Sequence, residues 1–148
     1  MTTGLSSPLG ETRRAATRTV SMLPLCEHGE MRTILVVDDH PTFRATARAL
    51  LEAEGFVVVG EAADGESALT AIGRLAPEIV LLDVQLPDID GFEVAARAAG
   101  LDAVPQIVLT SSREASEYGP RLAAARALGF IAKDELSGAA IRALLDGA

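Results

Sequence analysis

The chain has 148 residues, 49% of them hydrophobic, a formal charge of −8 and one cysteine, Cys26. That length is one ordinary domain with some chain to spare, and that apolar content is enough for a real core. A lone cysteine rules out a disulfide framework, no apolar run reaches a membrane span, and so acidic a chain repels nucleic acid.

Residues 1–31 are rich in Thr, Ser, Gly, Pro and Arg and show no sustained periodicity, so they read as a disordered N-terminal extension. The stretch is poor in acids, in the manner of a transit peptide, but lacks the apolar core of a secretory signal. Met31 is the natural beginning of the patterned chain, and 32–148 reads as the folded domain. Cys26 and His28 fall in the extension and receive no role.

From Thr33 the chain alternates between two kinds of segment. Thr33 to Asp38 is a short β-branched run, the pattern of a strand buried on both faces. Pro41 to Glu54 follows with Phe43, Ala47, Leu50 and Leu51 at helical spacing, and Gly55 stops it. Phe56 to Ala62 is a second strand. Asp64 caps a helix running through Ala76, which Pro77 ends. Glu78 to Asp83 is the third strand, and Asp90 to Ala99 a short helix closed by Gly100. Gln106 to Thr110 is the fourth strand. A long loop leads to Pro120, which suits the first turn of a helix through Leu128. Gly129 to Lys133 is the fifth strand, and Ser137 caps a last helix with Ala140, Ile141, Leu144 and Leu145 inward.

Strands alternating with helices in this way predict an α/β protein, a doubly wound five-stranded parallel sheet with helices on both faces. Such sheets place their sites at the carboxyl ends of the strands. Strand one ends in Asp38-Asp39, strand three in Asp83, strand four in Thr110 and strand five in Lys133, the one lysine of the chain. All five therefore reach one edge.

Three carboxylates brought together repel, and one of them takes a proton unless a cation intervenes. Mg²⁺, or a related divalent ion such as Mn²⁺, prefers oxygen ligands and commonly pairs with phosphate. Three Asp, one Lys⁺ and one such ion sum to zero, a neutral pocket that a phosphoryl group can enter. Phosphoryl transfer asks for a nucleophile in line and cations on the equatorial oxygens, and a carboxylate can be that nucleophile. Asp83, central in the sheet, is the candidate. Asp38 and Asp39 would hold the metal with Asp83 and the backbone carbonyl of Gln85. Lys133 would neutralise phosphoryl oxygens and Thr110 would donate a hydrogen bond to one.

Val36-Val37-Asp38-Asp39, Leu81-Leu82-Asp83 through Pro87-Asp88-Ile89-Asp90-Gly91, Leu109-Thr110-Ser111 and Gly129-Phe130-Ile131-Ala132-Lys133 together resemble the CheY-like response-regulator receiver domain, from Met31 to about Leu145. The resemblance implies the flavodoxin-like strand order 2-1-3-4-5. It implies a two-component phosphorelay in the cytoplasm, in which a histidine kinase or phosphotransfer protein donates phosphate to Asp83. By the same likeness Thr110 and Phe130 are the switch pair that remodels the face of helix four, strand five and helix five. The domain would assist its own phosphorylation and dephosphorylation instead of acting as an enzyme on a substrate. The remodelled face would bind a downstream protein or a second copy, with no direct nucleic-acid or membrane partner.

The sequence has the flavour of receivers fused to helix-turn-helix output domains, yet it stops at Ala148 directly after the fifth helix, so a receiver standing alone is expected. One departure is Asp134 after Lys133, where many receivers carry proline in a cis peptide; a cis bond before a non-proline residue costs about 2.5–4 kcal/mol.

Plainer roles suit other residues. Asp88 reads as a turn residue, Asp90 as a helix cap and His40 as solvent-facing at a helix start, since no second His or Cys has ligand spacing. Two rival functions differ in kind. Asp88-Ile89-Asp90-Gly91 echoes the opening of haloacid-dehalogenase-type phosphatases, but there the first Asp ends a strand and Thr or Ser follows the Gly, where this chain has Phe92. The other is a phosphorylation-independent interaction module with a vestigial pocket, against which the five intact positions argue.

Overall fold

The computed structural model describes residues 31–147, so the N-terminal extension, with Cys26 and His28, lies outside the described residues. Five strands form one sheet in the order β2-β1-β3-β4-β5: β1 (Thr33–Val37), β2 (Val57–Ala62), β3 (Ile79–Asp83), β4 (Gln106–Ser111) and β5 (Gly129–Ala132). Every pairing is parallel. Between and after them come α1 (Pro41–Ala53), α2 (Gly65–Leu75), α3 (Gly91–Ala98), α4 (Pro120–Ala124) and α5 (Gly138–Asp146). The doubly wound α/β architecture is as the strand and helix pattern predicts, and the flavodoxin-like order is as the resemblance implies.

Why the sheet is covered twice follows from the strand sequences. β1 and β3 are apolar at consecutive positions, and successive side chains of a strand point to opposite faces. Ile34, Val36, Ile79 and Leu81 pack with Ala47 and Leu51 of α1 and Ile141 of α5. Leu35, Val37, Val80 and Leu82 pack with Ala68 and Ile72 of α2 and Val94 and Ala95 of α3. All four residues of each strand listed here are fully buried or within 1% of it, which leaves one free region for chemistry, the loops at the strand ends.

The three helix starts named for their caps are built as the sequence suggests. Asp64, Asp90 and Ser137 accept hydrogen bonds from the backbone N–H of Ser67, Glu93 and Ala140, respectively. Helix α4 departs from expectation. It ends at Ala124 instead of Leu128, because the chain must open out to meet the sheet: the Leu128 N–H already donates to the Ile107 carbonyl at 2.7 Å. The preceding loop contains a 3₁₀ turn at Ala115–Glu117. A second 3₁₀ turn at Lys133–Glu135 means that Lys133 follows β5 instead of ending it. No peptide among the described residues is cis, so the Lys133–Asp134 bond is trans.

Candidate functional site

The order 2-1-3-4-5 reverses direction between β1 and β3, and a crevice opens there at the carboxyl ends of the strands. Asp38 follows the last residue of β1 and Asp83 is the last residue of β3, so both flank that crevice. Asp38 is fully buried and Asp83 is 2% exposed. Asp39 is on the rim, its side chain 35% exposed. Carboxylate oxygens of the three, with a ring nitrogen of His40, lie within 4.8 Å of one another.

Burial without full compensation perturbs this cluster. Desolvation, with the negative charge of Asp38 adding to it, raises the Asp83 pKa to about 6 against the pull of the Gln85 N–H and Lys133. The Gln85 N–H donates to Asp83 Oδ1 at 3.1 Å. Lys133 reaches in from the opposite side, its Nζ 2.6 Å from Asp38 Oδ2 and 3.4 Å from Asp83 Oδ2. Burial works to lower the Lys133 pKa, but the two carboxylates outweigh it and the ammonium is held above its ordinary value. Phe43 of α1 presents its ring to the same ammonium at 4.6 Å.

Among the described residues, two buried side-chain oxygens have no hydrogen-bond partner. One is Asp38 Oδ2, close to Lys133 but outside hydrogen-bond geometry, so that contact is an ion pair only. The other is Thr110 Oγ1. Thr110 is fully buried and stands in register with Asp83 across β3 and β4. A hydroxyl left unpaired in such a place costs about 1–3 kcal/mol. The site thus has more carboxylates, three, than the one ammonium that reaches them, and an unmet hydroxyl beside its central carboxylate, which suits a cation and a phosphoryl oxygen.

Phe130, on β5, is half-buried and borders a cleft together with Ser112 and Asp134. Its ring lies 6.1 Å from that of Tyr118, which in turn meets Phe92 edge-on at 5.6 Å. The Tyr118 hydroxyl is 2.6 Å from Ser111 Oγ, one residue beyond Thr110. Tyr118 lies in a loop whose sequence has no periodicity; only the fold brings it to the end of β4.

Three further residues take places that spacing does not reveal. Asp88 is more than a turn residue. Its two oxygens accept from the backbone N–H groups of Gly65 and Glu66 at 2.8 and 2.9 Å. The bonds from Gly65 and Glu66 lower its pKa to about 2. It straps the loop after Asp83 to the start of α2, and as a loop residue it does not occupy the strand end that the phosphatase-type motif requires. Arg44 donates from Nη1 to the Asp38 carbonyl at 2.7 Å and from Nε to Glu61 at 3.0 Å, fixing the first acidic loop from behind. Gly91 touches the backbone of Asp83: a Cβ there would lie 2.6 Å from the Asp83 carbonyl oxygen and 2.9 Å from Val84 Cα.

With this geometry the family is settled. The chain belongs to the response-regulator receiver family, whose model, described as the response regulator receiver domain, matches residues 34–145. It is a receiver domain of a two-component system, a signalling domain. Among its relatives is a Pseudomonas aeruginosa protein named as a transcriptional regulator, 38% identical over 105 residues, covering 71% of this chain and 51% of that protein. The regulator BvgA of Bordetella pertussis is 35% identical over 102 residues, 69% of this chain and 49% of its own. In structure the chain is similar to the signal receiver domain of NarL from Mycobacterium tuberculosis, with 34% identity and a TM-score of 0.70 over 80% of this chain and 96% of that one. It is likewise similar to a LuxR-family two-component response regulator from Aurantimonas sp. SI85-9A1, with 32% identity, a TM-score of 0.72, and coverage of 80% and 87%. The chain spans about half the length of the curated relatives it matches. No helix among the described residues is long and apolar enough to cross a membrane.

Proposed function

We propose that Asp83 is the phosphoacceptor of this receiver and that its phosphorylation needs a divalent cation. The observation that carries the reading is an unmet group beside the central acid: Asp83, buried at 2% exposure, lies in register with an unpartnered Thr110 hydroxyl and shares with Asp38 the single ammonium of Lys133. In the reaction an Asp83 carboxylate oxygen attacks the phosphorus of a phosphohistidine on a histidine kinase or phosphotransfer protein. The phosphorus–nitrogen bond breaks, its electron pair stays on the imidazole, which takes up a proton, and an acyl phosphate remains on Asp83. Asp38, Asp39, Asp83 and the Gln85 carbonyl would hold Mg²⁺ or Mn²⁺, which when bound supplies positive charge to the phosphoryl oxygens. Lys133 moves its ammonium from the acids to a phosphoryl oxygen, and Thr110 gives its free hydroxyl to another.

Movement of Thr110 toward the phosphoryl group would vacate space at the end of β4, and Phe130 would turn into it. The α4-β5-α5 face then changes shape and engages a downstream protein or a second copy of the chain. At a charge of −8 the receiver itself meets protein and not nucleic acid. The relatives named as transcriptional regulators make gene control the setting in which such a contact would act. Cytoplasmic placement follows from that setting.

The test is incubation with acetyl phosphate and Mg²⁺, read by intact mass. One phosphoryl adduct is expected, dependent on Mg²⁺, labile at alkaline pH and absent from Asp83→Ala. A folded, Mg²⁺-binding protein that gains no adduct would sink the phosphoacceptor reading and leave a phosphorylation-independent docking module.

A further inference from the structure

The sequence gives His40 no task, and the fold puts it in the acid cluster. His40 is the residue before α1, where a side chain ordinarily caps the helix, yet it makes no capping bond. Its ring turns to the acids instead. Nδ1 lies 3.1 Å from Asp38 Oδ1 and 3.1 Å from Asp39 Oδ1. The residue is fixed in that place, since its own N–H donates to Asp38 Oδ1 at 2.8 Å and Pro41 begins the helix behind it.

We propose that His40 is a nitrogen ligand of the cation bound in this pocket and that it tilts the site from Mg²⁺ toward first-row transition ions. The proposal rests on the reading of the pocket as a cation site. Its first support is spacing. Ligands bound at about 2.1 Å in an octahedral shell stand about 3.0 Å apart when adjacent, and Nδ1 keeps that distance from an oxygen of each of two acids. The alternative, a hydrogen bond, serves only one of them well, because a single Nδ1–H points in one direction.

The tautomer supports the same arrangement. A coordinating Nδ1 needs its lone pair, which leaves the proton on Nε2. The His40 side chain is 68% exposed, so water can accept that proton's hydrogen bond. Independently of His40, Asp38 Oδ2 and Asp83 Oδ2 share one ammonium, that of Lys133, so the three carboxylates of the cluster outnumber it and still lack the charge that a cation would supply. Mg²⁺ is a hard ion that holds oxygen and water, whereas imidazole favours later first-row ions. One nitrogen among oxygens therefore sets a preference that an all-oxygen pocket would have less of.

The experiment uses the full chain carrying His28→Ala, so that His40 is the sole histidine. Ni²⁺ and Mg²⁺ are titrated by calorimetry into this protein and into versions that add His40→Phe or Asp83→Asn. Mn²⁺-loaded samples are examined by pulsed electron paramagnetic resonance for ¹⁴N coupling. Loss of an outer partner of a metal ligand already costs about 10–100-fold in affinity. His40→Phe should therefore weaken Ni²⁺ at least about tenfold, move Mg²⁺ much less, and erase a ¹⁴N coupling present in its parent. A hydrogen-bonding His40 would not produce that coupling. If Mn²⁺ binds in an Asp83-dependent way with no ¹⁴N coupling, His40 is not a ligand, while the cation site stands. If neither Mg²⁺ nor Mn²⁺ binds, the cation site and the His40 role both fall.

Discussion

Lys133 is paired with Asp38 more closely than with Asp83, at 2.6 Å against 3.4 Å. The ammonium thereby offsets the repulsion between two buried acids while leaving Asp83 the less encumbered of them. Lys133→Met removes the cation and keeps the bulk. Breaking a buried pair by removing one partner costs about 3–5 kcal/mol, and Lys133, whose side chain is only 14% exposed, falls in that regime. Urea unfolding in EDTA at pH 7 should show a loss near the lower end of that range, and Mg²⁺ should restore part of it. A midpoint equal to that of the parent would mean the pair contributes nothing to the fold.

Asp83 makes the metal-free protein more stable in mild acid. Its pKa is raised from 3.8 to about 6 in the folded state, so between those values the folded chain holds a proton that the unfolded chain has released. For a raised pKa the contribution is complete below the unfolded value and is lost as pH climbs through about 6. Lowering the pH from 7 to 5 in EDTA should thus raise stability by about 1 kcal/mol, the part of this shift that falls within that window. Asp83→Asn should lie higher at pH 7 and lose the slope. With Mg²⁺ present the trend should flatten, because the ion and the proton compete for the same carboxylate.

What could be read in the residues depended on how local the cause was. The strand ends were legible because a parallel sheet sends them all to one edge, so Asp38, Asp39, Asp83, Thr110 and Lys133 needed no coordinates to be grouped. The Asp64, Asp90 and Ser137 caps were legible because each cap bond spans three residues. Helix α4 was read too long, since the bond that ends it joins Leu128 to Ile107, far away in the chain. Asp88, whose partners lie 22 and 23 residues back, looked like turn chemistry for the same reason. His40 is 68% exposed at the helix start, as the sequence reading has it, but the turn of its ring to the acids and the place of Tyr118 beside Ser111 are set by where the sheet ends, and neither loop has a repeat to read.

Asp88 should govern the acid side of the stability curve. The bonds from Gly65 and Glu66 lower its pKa to about 2, so its contribution is present above the unfolded value and disappears as pH falls through about 2. Asp88→Asn should lower the thermal midpoint at pH 7. It should also reduce the fall in stability between pH 4 and pH 2. Because the same side chain ties the loop after Asp83 to α2, hydrogen exchange at Gly65 and Glu66 should speed up in the variant. Unchanged exchange there would mean the strap is not closed in solution.

Thr110→Val separates resting stability from response. The hydroxyl is fully buried and bonds to nothing, so the unphosphorylated protein carries a polar group it does not use. Valine has nearly the same shape and removes that group, which should stabilise the resting fold by about 1–3 kcal/mol. In the phosphorylated state the same change removes the donor proposed to meet a phosphoryl oxygen. Adduct formation at Asp83 should persist, since the nucleophile and cation ligands are intact, while chemical-shift changes at Phe130 and across α4-β5-α5 on phosphorylation should shrink. A variant that is less stable at rest would show that Thr110 already has a partner. A full response at Phe130 without the hydroxyl would break the proposed link between the two.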